Sequence, residues 1–211
     1  MPTLYNRIQG RSTDRLAALS DGIFAVAMTL LVLDLHLPWA GQVHGERQLL
    51  AALSALGPQW IAYGMSFLTL GIFWAGQQTQ LNHIAHGTRD LTWIHLGFLF
   101  AITLLPLSTR LLAEFITYRA ALGIYWFNIL VPGVMLYWSW KYAARAGLIK
   151  PDTPEEVRAS ICKRIVIAQS LYAAGAALCV INTWVSIAAI LLVQLNYAVA
   201  PRLWWRKRNA G

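Results

Sequence analysis

Three polar residues that could carry chemistry stand at the start of an otherwise apolar segment. They are Arg15, Ser20 and Asp21, and from there to residue 37 the chain holds one further charge, at Asp34. An arginine or aspartate in the middle of a membrane costs from roughly 3 to over 10 kcal/mol. A spacing of six residues excludes a simple i, i+4 pair between Arg15 and Asp21. We therefore expect each of them to bond to polar groups on other helices.

The composition indicates a membrane protein that is built from helices. Of the 211 residues, 57% are hydrophobic and 12% are charged, about half the charged fraction of an ordinary soluble domain. Apolar runs of about 20 residues, the length needed to cross a bilayer, recur along the chain. The sequence predicts an all-α polytopic protein that forms one unit over residues 1–211, with six transmembrane helices. The predicted spans are about 16–37, 50–77, 91–113, 120–143, 161–181 and 183–201.

The net charge of +8 is explained by where the basic residues stand along the chain. Most of the 17 lysines and arginines lie before the first span, between spans 4 and 5, and in the tail after span 6. The positive-inside rule places those regions, and with them both termini, on the cytoplasmic side of the cell membrane. Trp204 and Trp205 make the basic tail typical of an interfacial anchor in the lipid bilayer. The charge therefore does not indicate a nucleic-acid partner.

One face of the first helix is a stripe of apolar side chains. Gly22, Val26, Leu30, Leu33 and Leu37 follow one another in steps of four, four, three and four, so they share a face. This stripe either packs on neighbouring helices or lines a pore, because hydrophobic constrictions gate channels by dewetting. The sequence alone leaves both interpretations open. In the second interpretation the Asp34 carboxylates gather cations at the outer mouth; otherwise Asp34 occupies an ordinary interfacial position.

Three short motifs resemble those of a known family. The run from Arg15 to Ser20-Asp21 is similar to the Arg-x-x-x-Phe-Ser-Asp signature of the transmembrane protein 175 family of potassium channels, with Leu19 in place of Phe. Phe73-Trp74 near the end of span 2 fits the family pattern. Residues 105–109, Leu-Pro-Leu-Ser-Thr, resemble the family's Leu-Pro-Phe-x-Thr element. The length and the six predicted spans match a bacterial member.

The resemblance implies a homotetramer in which four first helices surround the path of potassium ions. It implies a potassium-favouring cation channel with a hydrophobic constriction and without a Thr-Val-Gly-Tyr-Gly filter, which this sequence also lacks. The implied pore-lining residues are Val26, Thr29, Leu30 and Leu33, with Val26 at the narrowest point and Thr29 offering hydroxyl oxygens.

The resemblance also implies a structural polar network behind the pore. Its members would be Arg15, Ser20 and Asp21, together with Gln77 and His95, where the family often carries His and Asn respectively. Glutamine and histidine can still form hydrogen bonds, so we expect the network in altered form.

Other functions have less support in the residues. A small proton-coupled transporter that uses Asp21 and His95 is the main alternative, although the sequence shows no internal repeat and no broken helix of the kind common in transporters. A membrane scaffold or an intramembrane enzyme is a third, but nothing orients a catalytic histidine, so we predict no enzyme. His83, His86 and His95, taken with Asp90, have no standard metal-ligand spacing. We therefore predict no metal site and no cofactor, with potassium as the permeant species.

Overall fold

The computed structural model describes residues 13–36, 41 and 43–199, and within these ranges the regular structure is helical. The α-helices are α1 Thr13–Leu33, α2 Glu46–Ala55, α3 Gly57–Asn82, α4 Arg89–Thr103, α5 Leu105–Glu114, α6 Arg119–Arg145, α7 Glu155–Ala177 and α8 Thr183–Val199. A short 3₁₀ turn, Leu178–Val180, follows α7. The expected all-α class is confirmed.

Four helical segments of the described chain are long and apolar enough to cross a membrane. They are Thr13–Leu33, Arg89–Glu114, Arg119–Arg145 and Glu155–Val180. The chain is therefore a multi-pass membrane protein. Helix α8 is apolar but has 17 residues, and α3 is longer, with 26, but carries several glutamines. The predicted ends of the first and sixth spans, at residues 37 and 201, lie outside the described residues, as do the basic tail and both termini.

Two of the predicted spans each contain two helices. The 50–77 segment is divided at Leu56, and the 91–113 segment is divided at Leu104. In both places a proline, Pro58 or Pro106, stands in the first turn of the new helix, where its missing N–H costs nothing. The expectation that no span is interrupted is therefore wrong for the second and third spans. A proline has no N–H for the carbonyl four residues before it, and its ring crowds that carbonyl, so the helix breaks there.

Helix α1 packs against α3, α4 and α5, whereas α7 packs chiefly against α6 and α8. Phe24 of α1 lies 6.0 Å, centroid to centroid, from Phe98 of α4, which in turn lies 6.2 Å from Phe73 of α3. These three rings are part of the main apolar core. They fix the side of α1 that faces the bundle.

The contact between α6 and α7 depends on a glycine. Gly133 leaves room for the side-chain amide of Gln169, and a Cβ added at position 133 would overlap that amide. Gly133 is buried and Gln169 is half-buried, and the buried Gln169 Oε1 atom has no hydrogen-bond partner among the described residues. The position of the Gln169 amide against α6 thus depends on the absence of a side chain at residue 133.

The loops at one end of the bundle are joined by a pair of backbone hydrogen bonds. Ala85 N–H donates to Leu148 O at 2.8 Å, and Lys150 N–H donates to His83 O at 2.9 Å, which makes an isolated antiparallel bridge between Ile84 and Ile149. The α3–α4 loop and the α6–α7 loop are thus tied together. The sequence predicts that this end of the bundle faces the cytoplasm.

Candidate functional site

A buried group of three side chains joins α1 to its neighbours, and we call it the histidine cluster. It consists of Ser20 in α1, Gln77 in α3 and His95 in α4, all at most 2% exposed. Ser20 Oγ lies 3.0 Å from His95 Nε2, and Gln77 Nε2 lies 3.0 Å from both of those atoms. Residues that are 57 and 75 positions apart in the chain therefore meet at one point behind α1.

The histidine cluster can be assembled without any net charge. The Ser20 hydroxyl donates to Leu16 O at 2.8 Å, which leaves its oxygen to accept from the Gln77 amide. The second amide hydrogen of Gln77 then points at His95 Nε2, which accepts it when the ring proton is on Nδ1, and in that arrangement no hydrogen lies between Ser20 Oγ and His95 Nε2. The Gln77 Oε1 atom has no partner among the described residues. A neutral cluster suits lipid surroundings, where buried charge is expensive.

Asp21 and Arg15 lie outside the histidine cluster. Asp21 Oδ1 accepts hydrogen bonds from Trp74 Nε1 at 2.8 Å and from Gln78 Nε2 at 2.6 Å, so a second polar contact joins α1 to α3. Arg15 is exposed and forms no ion pair or hydrogen bond with another side chain of the described chain. Of the five residues predicted to form one network, Ser20, Gln77 and His95 meet directly. Asp21 has separate partners, and Arg15 has no side-chain partner among the described residues.

The opposite side of α1 is exposed in the single chain. Val26, Leu30 and Leu33 are 57%, 44% and 74% exposed, and Thr29 is exposed between them. The Thr29 hydroxyl donates to backbone carbonyls of its own helix, at 2.9 Å and 3.0 Å. Because its hydrogen points back to the helix, the lone pairs of its oxygen remain free to face a cation.

An apolar groove of about 410 Å³ runs beside this face. Three small residues of α1 line it among leucine, isoleucine and valine side chains, and Thr103 of α4 borders it. The lining residues are Ala18, Leu19, Gly22, Ile23, Val26, Ala27, Leu30 and Thr103. Another helix can approach such a surface closely, because small side chains keep the backbone near the contact.

The end of α1 that was predicted to form a pore mouth lies beside the start of α3. Asp34 follows the last helical turn and is half-buried, and the next residues leave the helix. His36 N–H donates to Gln59 Oε1 at 3.0 Å. This bond fixes the position of the chain two residues after Asp34.

The sequence interpretation missed a second polar group, which we call the tyrosine cluster. Its members are Ser66, Thr69, Thr109, Tyr125 and Gln194, from α3, α5, α6 and α8, all at most 3% exposed. Ser66 donates to the Tyr125 hydroxyl at 3.1 Å, Thr109 donates to Ser66 at 2.6 Å, and Gln194 donates to Thr69 at 2.8 Å. The one available signal was the presence of polar side chains in the middle of apolar segments.

The fold and this site define a helical multi-pass membrane protein whose first helix is bonded to the bundle on one side and uncovered on the other. Residues 15–106 match the family model described as endosomal/lysosomal potassium channel TMEM175. A protein of Chamaesiphon minutus named potassium channel is 29% identical over 89% of this chain and 94% of its own length.

Two further matches extend the comparison. The human endosomal/lysosomal proton channel TMEM175 is 36% identical over 49% of this chain and 22% of its own length. The crystal structure of a lysosomal potassium-selective channel TMEM175 homolog from Chamaesiphon minutus superimposes with a TM-score of 0.78 at 27% identity, covering 89% of this chain and 97% of that one. The chain is therefore similar to the TMEM175 family, in agreement with the resemblance of its motifs.

Proposed function

We propose that this chain is one subunit of a homotetrameric, potassium-favouring channel of the cell membrane, with α1 lining the ion path. The observation that carries the proposal is the two-sided character of α1. One side is bonded through Ser20 and Asp21 to α3 and α4, and the other exposes Val26, Thr29 and Leu30. The names of the bacterial relatives support potassium as the permeant ion.

Exposure alone does not distinguish a pore face from a lipid face, since α7 also exposes Val166 and Ile167. Two features of α1 favour a pore face. Its exposed face borders the apolar groove, where a second copy of the helix can approach. Its other face is held by hydrogen bonds to two helices, which fixes the rotation of α1 about its axis.

Along the proposed ion path, apolar side chains, threonine oxygens and carboxylates stand at different depths. Val26, Leu30 and Leu33 form hydrophobic rings that block ions by dewetting when the rings are narrow. The Thr29 oxygens replace part of the hydration shell of a cation between these rings. The Asp34 carboxylates concentrate cations at the outer mouth. Potassium passes through, and no bound cofactor enters the proposal.

The proposed topology has six crossings, with both termini in the cytoplasm. Beyond the four long apolar segments, α3 would extend about 39 Å and α8 about 26 Å at 1.5 Å per residue. The length of α3 exceeds a hydrocarbon core of about 30 Å, and α8, with 17 residues, is at the short limit of about 17 residues for a spanning helix. The distribution of basic residues supports the orientation.

Single-channel recording in planar bilayers tests the proposal, with potassium, sodium and proton gradients imposed separately. The test variants are Val26→Ala, Leu30→Ala and Leu33→Ala. Matched controls are Val166→Ala, Ile167→Ala and Leu171→Ala, which remove exposed apolar side chains from α7. We expect unitary potassium currents, and a severalfold change in conductance or open probability for at least one α1 variant.

Three outcomes would contradict the proposal. If no α1 variant differs from the wild type, the pore assignment is wrong. If the α7 variants change the currents as much as the α1 variants do, the effect does not come from a pore face. Slow, saturable flux coupled to a proton gradient would replace the channel with the transporter.

A further inference from the structure

Helix α6 changes from exposed apolar to basic side chains along one face. Val134 and Trp138 are 48% and 59% exposed, and Lys141 and Arg145 follow on the same face at helical spacing. Arg145 is exposed and Lys141 is half-buried. This change marks where the hydrocarbon region ends and the headgroup region begins on α6, because basic side chains concentrate at that boundary.

Helix α7, which runs back along α6, shows the same change at the same end of the bundle. Lys163 and Arg164 are exposed, and Val166 and Ile167 in the next turn are exposed and apolar. Because α6 and α7 are packed neighbours joined by one loop, their two boundaries lie at the same end. Two adjacent helices therefore present apolar side chains and then positive charge to the same leaflet.

Specific contacts hold these basic groups beside three helices. Trp140 Nε1, next to Lys141 in α6, donates a hydrogen bond to Arg158 O of α7 at 3.2 Å. The Arg164 guanidinium carbon lies 5.7 Å from the ring centroid of Tyr197 in α8. The Lys141 ammonium lies 5.7 Å from the ring centroid of Tyr137 in its own helix. The positive charge thus spans the ends of α6, α7 and α8.

No carboxylate of the described residues forms an ion pair with this charge. The ion pairs found there are Arg110 with Glu114, at the other end of the bundle, and Arg158 with Glu155. Glu155 lies two turns earlier on α7 than Lys163 and pairs with Arg158 at 3.8 Å. The basic groups at the boundary therefore have no acidic partner in this part of the chain.

We propose that Lys141, Arg145, Lys163 and Arg164, together the basic belt, bind the phosphate headgroup of an anionic phospholipid. The acyl chains lie along the exposed apolar faces of α6 and α7, and the headgroup reaches the basic belt. Arginine offers paired donors to phosphate oxygens. Each lysine or arginine near an anionic membrane surface makes a similar contribution to the electrostatic attraction between protein and lipid. The apolar faces that continue from the belt favour a lipid over a free phosphate.

Lipid binding of the purified full-length chain, measured by native mass spectrometry in detergent, tests this proposal. The probe is phosphatidylglycerol, with phosphatidylcholine as the neutral lipid and glycerol phosphate as the soluble anion. The test variant is Lys163→Gln/Arg164→Gln. Its matched control is Arg47→Gln/Arg119→Gln, which removes two exposed arginines that stand outside the basic belt.

We expect the wild type to prefer phosphatidylglycerol over phosphatidylcholine and the test variant to bind it about 30-fold more weakly. The control should bind as the wild type does, and Lys163→Arg/Arg164→Lys should retain binding, which separates lost charge from misfolding. Equal losses in test and control variants would overturn the proposal. So would equal affinity for both lipids, or equal competition by glycerol phosphate. This experiment requires only that the chain is a membrane protein. It therefore tests lipid binding even if the chain carries no potassium current.

Discussion

The histidine cluster and the tyrosine cluster use the same uncharged hydrogen-bonding groups in different places. The histidine cluster joins α1 to two helices, and the opposite face of α1 is uncovered. The tyrosine cluster joins α3, α5, α6 and α8, with the Tyr125 hydroxyl wholly buried among them. One cluster therefore sets the orientation of a single helix, and the other closes a group of four.

This difference predicts which property each cluster controls. Loss of the tyrosine cluster opens the interior of the bundle, so the free energy of unfolding should fall most. Loss of the histidine cluster leaves the bundle closed but frees α1 to rotate or shift, so currents should change more than stability. Changes on the uncovered face of α1 should alter ion passage alone.

The largest effect is expected from Tyr125→Ala. It removes a fully buried ring together with the acceptor of the Ser66 hydrogen bond, and large buried aromatic truncations cost about 3–5 kcal/mol. Phe127→Ala, two residues along the same helix at a side chain that is 60% exposed, is the matched control and should cost about 0.5 kcal/mol or less. Unfolding in detergent measures both. Equal losses would show that the tyrosine cluster does not close the bundle.

A smaller effect on stability, with a larger effect on current, is expected from Gln77→Leu. The substitution removes the amide that donates to Ser20 and faces His95, at a cost of about 1 kcal/mol for membrane hydrogen bonds. Open probability should change severalfold in single-channel records, because α1 is no longer fixed. Thr79→Val, at an exposed position of the same helix, should change neither quantity. Unaltered gating in Gln77→Leu would remove the distinction between the two clusters.

The smallest effect on stability is expected from Thr29→Val. The side chain is exposed and bonds only to its own helix, so unfolding should change by about 0.5 kcal/mol or less. The permeability ratio of potassium to sodium, measured from reversal potentials, should change because an oxygen leaves the proposed path. Thr29→Ser retains the oxygen and should preserve the ratio. A ratio that is unchanged in Thr29→Val would place the ion path elsewhere.

Local patterns predicted the helical class, apolar helices of membrane-spanning length and the apolar stripe of α1. Val26, Leu30 and Leu33 follow helical spacing, which a sequence displays directly. The meeting of Ser20, Gln77 and His95 was expected only through the family motifs, because their separations contain no local signal. The breaks at Leu56 and Leu104 were missed although Pro58 and Pro106 indicate them.

The tyrosine cluster could not be predicted because its members look ordinary one at a time. Serine and threonine are common in membrane helices, where they can bond to their own backbone, as Thr69 does to Met65 O. What makes Ser66 and Tyr125 a site is the packing of helices that are 59 residues apart in sequence. That packing depends on the whole bundle.

The close approach of Gly133 and Gln169 also links the residues that these two positions can carry. A side chain at 133 requires either that the Gln169 amide moves away or that residue 169 is shorter, because that amide now fills the space. Relatives with alanine at position 133 should therefore more often carry a shorter residue at 169, whereas glycine at 133 should occur with either. The geometry of one helix contact thus predicts that two positions far apart in sequence vary together.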